Sequence, residues 1–149
     1  MKSWVKMALA ALAALTLAAA PAAAQVPDQY ARELAQRLSR AETVLVENGY
    51  ARAAGPFAAG IAGGEGRRFS LLMRAGQDYR VVGVCESRCG DFNIRVYDMG
   101  GRLMGQDVLA DNVPVVHVRP RVTGRHIVEI EMVRCARAPC WSAFNVYSR

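Results

Sequence analysis

The stretch from Arg67 to Arg149 constrains the fold more than any other feature of the chain. It is a succession of short segments in which apolar and polar residues alternate. Polar turns break it, and its cysteines fall in two close pairs, Cys85/Cys89 and Cys135/Cys140. Period-two alternation sends successive side chains to opposite faces, so each segment reads as a half-buried strand. Phe69, Leu71 and Met73 alternate with Arg68, Ser70 and Leu72, and Phe92, Ile94 and Val96 with Asn93, Arg95 and Tyr97. Tyr79 to Val84 is dense in β-branched residues. Asp98-Met99-Gly100-Gly101 predicts a tight hairpin with Arg102–Leu109 returning. Asp111-Asn112 leads into a strand over Val113–Val118, ended by Pro120, which has no N–H to give a ladder. Thr123-Gly124 turns into Ile127–Val133, and Trp141–Tyr147 is the last strand. Strands at roughly 8–12-residue spacing predict an antiparallel sandwich or barrel. The lack of strand–helix–strand alternation argues against a parallel nucleotide-binding sheet.

Residues 1–24 read as a secretory leader. Lys2 and Lys6 supply the positive start, Met7–Ala20 is apolar, Pro21 breaks the run, and Ala22-Ala23-Ala24 offers a small-residue cleavage pattern before Gln25. The apolar run is shorter than the roughly 20 residues that span a bilayer. No later segment reads as transmembrane. Removing 24 of 149 residues leaves 125, one domain's worth. Residues 25–54 read as a helix and linker, and residues 55–149 as the β-domain. The 19 basic residues less Lys2 and Lys6 leave 17 arginines against 13 acids, a net +4. These arginines are scattered among acids, as on a solvated surface, and lack the clustering of nucleic-acid binders.

The helix is predicted over Asp28–Asn48. Asp28 follows Pro27 and reads as the N-cap. Leu34, Leu38, Ala41 and Leu45 share one face, extended by Tyr30 and Ala31. That face is expected to pack on the β-domain. Gly49 is suited to the position just past the C-terminus. The Gly/Ala-rich segment that follows predicts a short first strand over Gly55–Ile61 and a turn over Gly63–Gly66.

Four cysteines allow three disulfide connectivities, and strand order decides among them. The short spacings favour Cys85–Cys89 and Cys135–Cys140, each bridge closing a tight loop. Neither pair has the Cys-x-x-Cys spacing of a redox enzyme at a helix N-terminus. An exported chain favours disulfides over a four-thiolate zinc site.

Catalytic signals are sparse. His117 and His126 fall in or at the edges of strands, and Ser70, Ser87 and Ser142 lie in no nucleophile motif. Glu129 and Glu131 share a strand face and read as a solvated stripe rather than a glycosidase pair. Asp91, Asn93, Asp98, Asp107 and Asp111 gather in or beside loops. Calcium takes such oxygen ligands, but these side chains also bond to nearby backbone in turns, the better account here.

Several segments carry a family resemblance. They are Phe69-Ser70-Leu71, Ala75-Gly76-Gln77-Asp78-Tyr79 and the run from Cys89 to Asp98, with Gly101. Asp107, Asp111 through Pro114-Val115-Val116, and Thr123 to Val128 complete it. Through them Gly60–Tyr147 resembles the bacterial pre-peptidase C-terminal domain and its stand-alone relatives. The resemblance implies a secreted, jelly-roll-like β-sandwich of about eight strands. Such domains accompany secreted peptidases, and some bind matrix proteins, glycans or calcium. The chain departs from the pattern at His126, where a Tyr is usual, and at Phe92-Asn93, where a more acidic, aliphatic pair is usual.

The expectation is therefore a periplasmic or secreted, disulfide-stapled, non-enzymatic module. It would contact an envelope protein or a glycan, without cofactor or nucleic acid. The alternatives are a small hydrolase using His117 or His126, and an assembly protein that oligomerises through the Asp28–Asn48 helix.

Overall fold

A computed structural model describes residues 25–149; the leader expected over 1–24 lies outside the described residues. One helix, α1 (Asp28–Glu47), precedes eight strands: β1 (Ala51–Ile61), β2 (Glu65–Met73), β3 (Tyr79–Cys85), β4 (Cys89–Tyr97), β5 (Leu103–Asp107), β6 (Val115–Val118), β7 (Gly124–Cys135) and β8 (Cys140–Ser148). They form two antiparallel four-stranded sheets, ordered β1-β8-β3-β6 and β2-β7-β4-β5. Each successive strand from β1 to β8 switches sheets except at β4–β5, a hairpin within the second sheet. This is jelly-roll order.

The inner faces meet in one core. Val81, Phe144 and Val146 from the first sheet pack on Phe92, Ile94, Val96, Val128, Ile130 and Met132 from the second. Phe57, Phe69 and Phe144 form an aromatic trio whose rings lie 5.0–5.8 Å apart. The sheets approach so closely at Gly83 that a Cβ there would come within 2.7 Å of both Ile94 and Phe92.

The first sheet has a second buried face, covered by α1. Leu34 and Leu38 pack on Val84, Trp141 and Ala143, and Ala41 and Leu45 on Val82, Tyr50 and Tyr147. The apolar stripe of the helix thus lies on its own sheet. Ala31, expected in that stripe, is exposed. The N-cap position belongs to Pro27, not Asp28, and no side chain caps it. Asp28 instead sits in the first turn, where its charge still complements the helix dipole. The C-terminus closes as a Schellman motif: Tyr50 N–H donates to Leu45 O, Gly49 N–H donates to Val46 O, and Gly49 takes φ +82°.

Strand bounds differ from the sequence expectation where side chains or pairing override composition. β1 begins at Ala51 rather than Gly55, because β8 supplies a partner from Ser148 to Cys140. Two register shifts let this Gly- and Pro-containing strand follow it. β5 stops at Asp107 because the Asp107 carboxylate accepts from Leu109 N–H and Val115 N–H, turning the chain. β6 starts only at Val115, after Pro114.

Candidate functional site

The turns sort to two ends of the sandwich. One end holds the β3–β4 and β7–β8 turns, and both carry disulfides, Cys85–Cys89 and Cys135–Cys140. Cys89 and Cys135 are register partners on β4 and β7, so the bridges sit side by side. Between them Glu86 is fully buried. Its carboxylate accepts from Arg88 N–H at 2.7 Å, Arg88 Nε at 2.8 Å and Trp141 N–H at 3.3 Å. Arg88 also donates to Pro139 O at 2.8 Å across the gap, and its guanidinium lies 4.3 Å over the Tyr30 ring of α1. This end is a clamp tying two turns and the helix together. The hydrogen bonds from Arg88 to Glu86 raise the Arg88 pKa and hold it charged despite partial burial.

Among the described residues no helix lies over the outer face of the second sheet; α1 lies on the first. Four polar side chains stand there in one row, set by register: Arg68 (β2) opposite Glu129 (β7), Glu129 opposite Arg95 (β4), and Arg95 opposite Gln106 (β5). Asn93 and Glu131 form the next row. Arg68 Nε donates to Glu129 at 2.6 Å, Arg95 donates to Glu131 at 2.6 Å, Tyr97 O–H donates to Glu129 at 3.3 Å and Asn93 Nδ2 donates to Glu131 at 3.3 Å. Glu129 and Glu131 are therefore partly buried, paired carboxylates rather than a solvated stripe. The Arg95 hydrogen bond holds the Glu131 carboxyl below its ordinary range against partial burial. Burial, then the Glu129 charge, push the Tyr97 phenol up. Asn93 is only 7% exposed, and its Oδ1 has no partner. A buried acceptor left unpaired costs about 1–3 kcal/mol.

The loop carboxylates serve turns. Asp98 Oδ1 accepts from Gly100 N–H and Arg102 N–H, and those backbone bonds lower its pKa. Asp107 accepts from Leu109 and Val115, and Asp111 from Val113. Asp91 lies 3.9 Å from Arg134. Among the described residues no three His, Cys, Asp or Glu side chains are grouped to hold a metal ion.

The histidines are separated. His126 points inward, buried, with Nδ1 2.9 Å from Gly124 O. His117 is half-exposed with Nε2 on Asp78. Asp78 also accepts from Tyr50 O–H at 2.9 Å, Arg149 at 3.2 Å and Arg80 at 3.2 Å. Burial raises the Asp78 pKa, but these hydrogen bonds and charges outweigh it and hold the carboxyl low. Among the described residues no serine hydroxyl reaches either histidine. Ser70 accepts from Arg125, Ser87 donates to Glu33, and buried Ser142 donates to Ala59 O. The Asp78 cluster fastens the C-terminal strand, since Asp78 and Arg149 also exchange backbone hydrogen bonds.

Comparison with protein-family models finds no match, and comparison with curated proteins finds none. No helix among the described residues is long and apolar enough to cross a membrane.

Sequence alternation does not by itself assemble the row Arg68–Glu129–Arg95–Gln106. Its signal is the phase of the alternation: Asn93, Arg95 and Tyr97 must share the face opposite Phe92, Ile94 and Val96. Only the order β2-β7-β4-β5 lines up their partners.

Proposed function

We propose that the chain is a non-enzymatic binding module of an oxidising, periplasmic or secreted compartment, and that the outer face of its second sheet takes a glycan. The observation that carries this is the row of polar side chains Arg68, Glu129, Arg95 and Gln106, set side by side by strand register on the face that α1 leaves open, with Gln106 exposed at its end. Arg95, Gln106 and the two glutamates alternate donors and acceptors across the strands, the pattern that vicinal hydroxyls complement. Tyr97 adds a ring edge beside them. The two disulfides and the resemblance to pre-peptidase C-terminal domains support an exported module.

The test is a glycan array of envelope and matrix polysaccharides probed with the exported, disulfide-bonded protein. Saturable binding is expected, weakened about tenfold by Gln106→Ala, the loss of one direct hydrogen bond. Binding that ignores Gln106→Ala and Tyr97→Ala, or no saturable binding at all, overturns the reading.

A second reading, an envelope protein as ligand, draws on a different observation. Leu103, Val108, Leu109, Val113 and Val115 are all exposed around β5 and β6, one edge strand of each sheet. Capture of one envelope protein, lost in Leu109→Ser, would favour it over the glycan.

A further inference from the structure

The end opposite the disulfides is built from three turns: β2–β3 (74–78), β4–β5 (98–102) and β6–β7 (119–123). The first and third are tied together, with Gly76 N–H donating to Pro120 O and Ala75 N–H to Thr123 Oγ1. Two turns project large apolar side chains into solvent, Met99 at 72% and Val122 at 73% exposure, the most exposed large hydrophobics among the described residues. Leu72 is 66% exposed on the adjoining strand. A pocket of about 180 Å³ opens between the two turns, floored by Met104 and His126. The Met99 side chain leans across Gly124, where a Cβ would meet its sulfur.

Around these tips stand Arg74, Arg102, Arg119, Arg121 and Arg125, all exposed. Asp98 is the one carboxylate lining the pocket, and its oxygens are held by Gly100 N–H, Arg102 N–H and Arg102 Nε. Arg74, Arg119, Arg121 and Arg125 make no ion pair among the described residues, whereas Arg37, Arg52, Arg68, Arg80, Arg88, Arg95 and Arg149 are each matched to a carboxylate within 3.3 Å. Four arginines without an ion pair thus stand together at the end that also bears the apolar tips, whereas Arg32 and Arg40 on α1, Arg67 on β2 and Arg137 in the β7–β8 turn stand apart from one another or from any such tip.

We propose that this end docks on an anionic phospholipid surface, with Met99 and Val122 entering the headgroup–acyl boundary and the arginines meeting lipid phosphates. Apolar tips alone would suit many partners. A ring of unpaired arginines around them selects a planar, negatively charged, apolar-backed surface, where each basic group near the headgroups adds attraction and the tips gain burial. Arginine's fork matches a phosphate in two-point contact. The site is distinct from the polar row on the second sheet, so lipid docking and glycan binding are separable.

Co-sedimentation of the exported, disulfide-bonded protein with vesicles decides it. Binding is expected to vesicles of phosphatidylcholine mixed with phosphatidylglycerol, not to phosphatidylcholine alone, and is expected to weaken as salt rises. Arg121→Ala and Arg119→Ala should each weaken it roughly fivefold, the loss of about one basic contact. Met99→Ser with Val122→Ser should abolish it, while Arg137→Ala at the disulfide end leaves it unchanged. An unaltered thermal transition establishes that each variant is folded, and these exposed turn positions are chosen for that reason. No binding to the anionic vesicles overturns the proposal. So does binding that inorganic phosphate displaces fully and that Met99→Ser with Val122→Ser leaves intact, which would mark a soluble-anion site.

Discussion

At the scale of single residues, the disulfide end turns on one buried charge. Glu86 has no solvent contact, and Arg88 meets it from both backbone and side chain. Breaking a buried pair by removing one partner leaves an uncompensated charge, so Arg88→Leu should cost about 3–5 kcal/mol. Glu86→Gln in the same chain should recover part of that loss, because the remaining carboxamide is neutral. Urea unfolding of the two single variants and the double variant measures the coupling. Glu131 gives a pH prediction at the same scale. Its pKa lies below the ordinary 4.5 in the folded state because of the Arg95 hydrogen bond. Above that value both folded and unfolded chains are ionised and the stabilisation is complete. As pH falls through 4.5 the unfolded chain takes up its proton first, and the contribution is lost as pH drops through the folded pKa. Stability should therefore decline with acid from about pH 5 downward, less steeply in Glu131→Gln, as thermal melts across that range would record. Neither residue advertised this role. Glu86 sits between two cysteines like any polar loop residue, and its burial follows from how tightly the two turns close. The partners of Glu131 come from a strand far away in the chain.

At the scale of elements, local pattern was informative where it agreed with pairing. The Asp28–Glu47 helix is written in its spacing, since Leu34 and Leu38 recur with the helical period and both are buried. The Schellman end is written in Gly49. β1 is not legible in the same way. Ala, Gly and Pro disfavour a strand, and the segment is extended because β8 lies beside it. The helix lies on the outside of a sheet whose inner face already makes the main core, so its attachment is a separate layer of packing. Leu38→Ala should destabilise by about 2–4 kcal/mol through the cavity it leaves. The reporter is built in: Trp141, 7% exposed, packs with Leu38 in the helix–sheet layer. With Trp4 in the expected leader, Trp141 is the single tryptophan of the remaining chain. Its emission should shift to the red at lower urea in Leu38→Ala than in the parent. An emission transition unmoved by the substitution would mean that the helix contributes nothing to holding that layer.

At the scale of the whole molecule, the jelly roll has two unlike ends. One is held by two disulfides, a buried ion pair and the start of the helix; the other by turn hydrogen bonds and the Asp78 cluster alone. Sequence spacing reached the cysteine loops but not their adjacency. Cys89 faces Cys135 only because β4 and β7 are neighbours, and Arg88 reaches Pro139 for the same reason. Each bridge closes a short loop, worth about 2 kcal/mol by loop entropy. Replacing Cys135 and Cys140 by Ser should thus lower the melting temperature by roughly 8 °C for a domain of this size. Removing Cys85–Cys89 as well should cost more or less than twice that, since neighbours that share Glu86 and Arg88 do not act independently. A thermal double-mutant cycle measures the departure. Hydrogen exchange locates it: amides of β3–β4 and β7–β8 at the disulfide end should lose protection in the Ser variants. The Gly76 amide, bonded to Pro120 at the far end, should keep its own protection until the whole sandwich unfolds. Equal loss at both ends would mean that the staples stabilise the fold globally rather than the end they clamp.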